Sequence, residues 1–151
     1  MDKEDRLNQQ IALFYFAYKT FVETADRLIG KHGITRTHHR ILFFVAHSPG
    51  IKMNELLTLL EVSKQALHQP LLELREKGYI IMEPSAKDKR IRCLFLTEAG
   101  AEIETELGEA QRRQMAAALS ASDDPDGKFW TKVLEQYAKE RPGLAFFKIG
   151  A

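Results

Sequence analysis

The 151-residue chain predicts an all-α fold with a small β-wing. Three observations carry that expectation. Over most of the chain apolar residues recur in steps of three and four, the spacing of amphipathic helices. Only two short runs, Tyr79 to Met82 and Arg92 to Leu96, read as strands, and the basic stretch EPSAKDKRI joins them. The helical segment SKQALHQPLLELREKG leads straight into the first of these strands. A helix followed at once by a charged hairpin is the layout of a winged helix, in which the helix enters a DNA groove and the hairpin reaches the neighbouring backbone.

Residues 4–29 align Leu7, Ile11, Phe14, Tyr18, Phe21, Val22, Ala25 and Leu28 along one stripe, which predicts a long first helix. Leu13, Phe16 and Ile29 widen that stripe beyond one packing face. The helix is therefore expected to be covered on more than one side, by a second subunit or at the centre of a monomer. Gly33 suits the left-handed stop position. Thr35 caps a second helix, 36–47, with Ile41, Leu42, Phe44 and Val45 inward. SPGI reads as a turn, and Lys52 or Asn54 opens a third helix carrying Leu56, Leu57, Leu59 and Leu60. Val62 and Ser63 lead into a fourth, whose buried stripe is Leu67, Leu71 and Leu74 and whose end is Gly78. In the second strand Leu94 and Leu96 share one face, and Cys93 and Phe95 the other. Thr97 caps a fifth helix, 98–119, with Ile103, Leu107, Ala110 and Ala118 on one side. SASDDPDG is a loop. Asp124 and Pro125 are expected to open a sixth helix with Phe129, Trp130, Val133, Leu134 and Tyr137, and RPG to stop it before the apolar tail LAFFKIGA.

Domain organisation follows. Residues 1–151 read as one domain, with a winged helix-turn-helix over 34–97 flanked by helices in 4–33 and 98–151. Neither flank buries its wide apolar face alone, and the simplest arrangement interlocks the flanks of two copies as a homodimer. The one cysteine, Cys93, excludes an intrachain disulfide and any multi-cysteine metal site. No apolar run approaches ~18 residues and the start, MDKEDRLNQQ, is polar, so no membrane association and a cytoplasmic location are expected. Charge is unevenly placed. Residues 63–97 carry seven basic against four acidic side chains, whereas 98–140 carry five against ten. The positive excess on the winged helix points to double-stranded DNA as partner.

The run DKRIRCLFLTEAG resembles the wing signature of the MarR family of transcriptional regulators, with Asp88, Arg90, Leu96, Thr97 and Gly100 in register. VSKQALHQPLLELREKGYI is similar to that family's recognition helix running into its first wing strand, and ITRTHHRILFFVAHSPGI to the helix and turn ahead of it. The resemblance implies a homodimer that grips palindromic DNA and releases it in response to a small-molecule effector or oxidant. Repression is favoured over activation, because a compact dimer acts most simply by occupying a promoter. Ser63, Lys64 and Gln65 fall in the first turn of the recognition helix, where the helix N-terminus favours phosphate and a Gln reads an adenine edge. His68 and Gln69 lie one turn further, opposite the leucine stripe. Lys87, Lys89 and Arg90 sit on the wing, where a guanidinium suits the negative potential of a narrow minor groove. Asp88, an acid amid bases, reads as an internal partner orienting Arg90 or another wing base.

Two residues depart from the family pattern. Glu61 stands where a Gly is usual in the turn before the recognition helix, and a positive φ there costs a non-Gly residue about 1 kcal/mol; another backbone shape is the alternative. Pro70 deletes the hydrogen bond to the Ala66 carbonyl inside the recognition helix, so a kink over residues 66–70 or a loose first turn is expected. Pro70 also keeps open a second reading, a winged-helix interaction module that acts through a protein partner instead of DNA. His32, His38, His39, His47 and His68 are expected to be satisfied or exposed and not a metal site, since adjacent histidines on a helix diverge by ~100°. Cys93 reads as structural rather than redox-sensing. Tyr15, Tyr18, Trp130 and Tyr137 line either an effector pocket or the core. No cofactor is expected, and no enzyme motif stands out.

Overall fold

The computed structural model describes residues 1–147. Along these residues run α1 (Lys3–Ile29), α2 (Arg36–His47), β1 (Ile51–Lys52), α3 (Met53–Leu60), α4 (Lys64–Glu76), β2 (Ile80–Pro84), β3 (Arg92–Leu96), α5 (Glu98–Ala121) and α6 (Lys128–Ala138). A 3-10 turn follows α1 at Gly30–His32 and another follows α6 at Pro142–Phe146. The predicted class, mainly helical with a small β-wing, is the observed one.

Side-chain caps fix where the helices begin. The hydroxyls of Thr35, Ser63 and Thr97 accept from the backbone N–H groups of His38, Ala66 and Gly100 at 3.2, 3.1 and 3.1 Å. Each satisfies a donor that the first helical turn leaves without a partner. α3 opens at Lys52, whose N–H donates to the Glu55 carboxylate at 2.9 Å. Gly33 closes the α1 region in the left-handed conformation, φ 66°.

The sheet has three antiparallel strands in the order β1-β3-β2. Its first strand was not anticipated: Ile51 and Lys52, at the end of the SPGI turn, pair with Leu94 and Cys93. Two residues carry no periodicity, so this pairing is imposed by β3. The first wing strand also runs further than expected, through Pro84, which is tolerated because β2 is an edge strand that need not donate outward. The wing loop shortens to residues 85–91, closed by Ser85 N–H to Ile91 C=O at 2.8 Å.

α6 starts later than Asp124 and Pro125 suggested. Gly127, at φ 67°, precedes its first residue, Lys128. Asp124 instead caps from outside, its carboxylate accepting from the N–H groups of Lys128 and Phe129 at 2.9 and 3.2 Å.

One core holds the helices of the wing region and the start of α5 together. Ile41, Leu42 and Val45 of α2, Leu56 of α3, Leu67, Leu71 and Leu74 of α4, Leu94 of β3 and Leu107 of α5 are all buried in it. The flanks are different. The first two turns beyond the α1 cap and the whole of α6 bury no side chain completely, and Ile11 (63%), Phe129 (72%) and Tyr137 (71%) lie open. Polar contacts tie α1 to the rest. Thr24 donates to the Gln114 side chain of α5 at 2.6 Å, Arg36 Nε to Asp26 at 2.9 Å, and Lys31 and His32 meet Glu106 at 3.2 and 2.8 Å. The hydrogen-bonded Arg36 guanidinium holds the Asp26 carboxyl below its ordinary range, and Lys31 and His32 do the same for Glu106. Of the apolar tail, residues 148–151 lie outside the described residues.

Candidate nucleic-acid interface

Burying Leu67, Leu71 and Leu74 leaves the opposite face of α4 to solvent. Gln65 and Gln69 are exposed on that face, and Ser63, Lys64 and His68 are exposed beside the leucine stripe. The Ser63 hydroxyl is engaged as the helix cap, so its oxygen is turned to Ala66 while its proton is free to donate. Lys64, His68 and Arg75 flank a shallow groove of about 120 Å³ beside Met53 and Met82. Arg75 was missed on the sequence. Its signal is there, since it stands seven residues, two helical turns, beyond His68.

On the wing, Lys87, Lys89 and Arg90 are exposed. Asp88 grips Arg90 three times: its Oδ1 accepts from the Arg90 backbone N–H at 3.0 Å and from Nε at 3.1 Å, and its Oδ2 from Nη2 at 3.0 Å. These bonds hold the Asp88 carboxyl below its ordinary range. The Arg90 side chain nonetheless remains 91% exposed, with Nη1 outside the grip. The result is a pre-aimed guanidinium at the tip of a hairpin, with its conformational freedom already reduced.

α4 runs unbroken from Lys64 to Glu76 through Pro70. The expected loose first turn is not observed: Ser63 caps it, and the Leu67 N–H reaches the Ser63 carbonyl at 3.2 Å. Pro70 still leaves the Ala66 carbonyl without its helical donor. Pro70→Ala is therefore expected to stabilise the fold by about 1–3 kcal/mol. Thermal unfolding checks it: a rise of several degrees is expected, and an unchanged melting temperature would show that proline costs nothing there. Glu61 does adopt the left-handed turn conformation, φ 55° and ψ 45°, so the alternative backbone shape does not occur.

The histidines are less satisfied than expected. His38 and His39 are buried, and burial lowers the pKa of both. His38 Nδ1 accepts from the Thr35 N–H at 3.0 Å and completes the α2 cap, yet its Nε2, 3.8 Å from the Glu73 carboxylate, and that of His39 have no hydrogen-bond partner among the described residues. His47 faces the buried Glu104 at 3.4 Å. Among the described residues no three His, Cys, Asp or Glu side chains cluster as a metal site. Cys93 is half-buried on β3. Tyr18 and Trp130 line a cavity of about 570 Å³ between α1, α5 and α6, with Phe14, Phe21, Met115 and Leu134. Tyr15 and Tyr137 do not; Tyr137 stacks on Phe14 at 5.7 Å. Neither tyrosine belongs to this chain's core.

A family model described as MarR family matches residues 32–91. The chain is 37% identical over 132 residues to the HTH-type transcriptional regulator PetP of Rhodobacter capsulatus, covering 87% of this chain and 80% of that one. The transcriptional regulator BldR of Sulfolobus solfataricus has the same fold at 23% identity, with TM-score 0.64 and coverage of 92% and 96%. So does a mutant MarR of Escherichia coli solved with operator DNA, at 21% identity, TM-score 0.62 and coverage of 89% and 99%. No helix of the described residues is long and apolar enough to cross a membrane.

Proposed function

The chain belongs to the MarR family of DNA-binding transcriptional regulators, and from that premise we propose that it is a cytoplasmic homodimeric repressor of a palindromic operator, relieved by a small-molecule effector. The observation that carries the DNA-binding part of the reading is the wing. An Arg90 that is 91% exposed and held by Asp88 makes no side-chain hydrogen bond or ion pair outside its own hairpin among the described residues, which leaves its free edge for a partner. Its planar fork suits phosphate and the edge of a narrow minor groove. Lys64, Gln65, His68 and Gln69 on α4 supply the major-groove contacts in this reading, with Ser63 and the helix N-terminus on phosphate.

Two-fold assembly is supported by the open apolar faces of α1 and α6, which a single copy leaves wet. The dimer presents two α4 helices, hence the palindrome. The effector reading is supported by the cavity of about 570 Å³, apolar and lined by helices of the flank. Occupying it would shift α1 against α5 and α6, and through them the spacing of the two α4 helices.

Arg90→Ala is expected to weaken binding to the duplex upstream of the protein's own gene by about 1–3 kcal/mol, with the dimer intact. Lys87→Ala and Lys89→Ala should each lose less and mainly reduce the salt dependence. Fluorescence anisotropy over a salt series reads all three. Parent-like binding by Arg90→Ala would remove the wing from the interface.

A further inference from the structure

We propose that residues 141–147 form a strap that holds the α3–α4 turn and thereby sets the aim of α4, which makes Arg141 and Gly143 positioning residues for DNA binding. The aiming half of this proposal rests on the DNA-binding reading above.

Glu61 occupies the turn through which the chain leaves α3 and enters α4, and it does so with a left-handed backbone that a non-Gly residue disfavours. What meets it comes from the far end of the sequence. Arg141 Nη1 donates to both carboxylate oxygens of Glu61, at 3.0 and 3.2 Å. An exposed ion pair alone would hold little. Here it is one of four chemically different contacts made by seven consecutive residues. Gly143 is buried with its Cα against the α3 backbone, so close that a Cβ would stand 2.4 Å from Leu59 Cα. At the α2 end, the Ser48 hydroxyl donates to the Phe146 carbonyl at 3.0 Å. Phe147 lies parallel to Phe43 at 6.1 Å and edge-on to Phe44 at 5.7 Å.

The segment thus touches the C-terminal ends of both α2, against which α4 packs, and α3, from which the chain turns into α4. Only a glycine allows the backbone approach at position 143. At position 141 a long cation reaches the carboxylate that marks the turn. Because the strap continues directly from α6, a displacement of that helix is transmitted to the turn without passing through the core.

The test uses the full chain and four variants: Arg141→Glu, Glu61→Arg, the two together, and Gly143→Val. One readout is affinity for a duplex that the parent enriches from a random-sequence pool. The other is amide hydrogen exchange at Glu61, Val62 and Ala66, whose N–H groups are bonded to Thr58, Leu57 and Ser63. Arg141→Glu and Gly143→Val are expected to elute as the parent oligomer, to speed exchange at these amides about tenfold, and to weaken duplex binding about fivefold or more. The double charge reversal should recover much of both losses, a non-additivity that a mere change of surface charge does not give. Parent-like exchange in both Arg141→Glu and Gly143→Val overturns the strap. Faster exchange with undiminished affinity, or additive charge reversals, overturns its part in aiming α4. A parent that enriches no duplex ends the DNA-binding reading and the aiming with it, while exchange still decides whether the strap holds the turn.

Discussion

Ile11→Asp is expected to split the protein into monomers without unfolding them. In a single copy Ile11 is 63% exposed, on the stripe it shares with Leu7, Phe14 and Tyr18, and an aspartate there meets water. A substitution at such a place changes the stability of one copy by no more than about 0.5 kcal/mol. If the stripe is instead the centre of a two-fold interface, each copy buries an unpaired carboxylate. That costs several kcal/mol per charge. Two-fold symmetry makes the change twice. At about 3 kcal/mol per copy the dimer loses about 6 kcal/mol, a rise of about 10⁴-fold in its dissociation constant. Sedimentation velocity over a concentration series measures this directly, and circular dichroism checks that helix content is retained. A variant that sediments like the parent would place Ile11 outside any interface. A parent that is itself a stable monomer would remove the dimer from the proposed function.

Periodic and short-range signals were the legible ones. The stripe Leu67, Leu71, Leu74 sits in the core because its spacing allows only one face of α4 inward. Thr35 and Thr97 cap because a hydroxyl before an apolar helix has a donor within three residues; Ser63, expected inside the first turn of α4, is that helix's cap for the same reason. Asp88 meets Arg90 because two residues of turn bring them together. What was illegible depends on distant pairing or on competing local choices. β1 is two residues long and exists only because β3 accepts it. Asp124-Pro125 looked like a helix start, yet Gly127 adopts a left-handed conformation that delays α6 by three residues. The cap partner of Thr35 could have been read, since His38 stands at the position where a Glu or Gln usually reaches back. The contact between Glu61 and Arg141 spans eighty residues and leaves no local trace.

Gly100→Ala should be the most damaging small substitution in the chain, and the reason is steric. Gly100 lies in the first turn of α5, where exchanging Gly for Ala ordinarily gains about 0.5–1 kcal/mol. The surroundings reverse the sign. A Cβ at this position would stand 2.1 Å from the Tyr79 carbonyl oxygen and 2.9 Å from its carbon. Both atoms are backbone, so no rotamer change relieves the overlap. The same Tyr79 carbonyl accepts the Thr97 N–H at 3.0 Å, which docks the start of α5 on the residue just before β2. To admit a methyl group, α5 must tilt away, breaking that bond and opening the core around Ile80 and Ile103. Overpacking against yielding side chains costs about 1–3 kcal/mol, and against backbone the upper end or beyond is expected, so about 3 kcal/mol net. For a chain of this length that lowers the melting temperature by about 6–12 °C. Urea unfolding of the variant beside the parent measures it, and equal or greater stability would show that α5 slides without cost. The consequence reaches function through β2. The wing starts one residue after Tyr79, which Gly100 lets α5 approach, so a displaced α5 carries the hairpin and Arg90 with it.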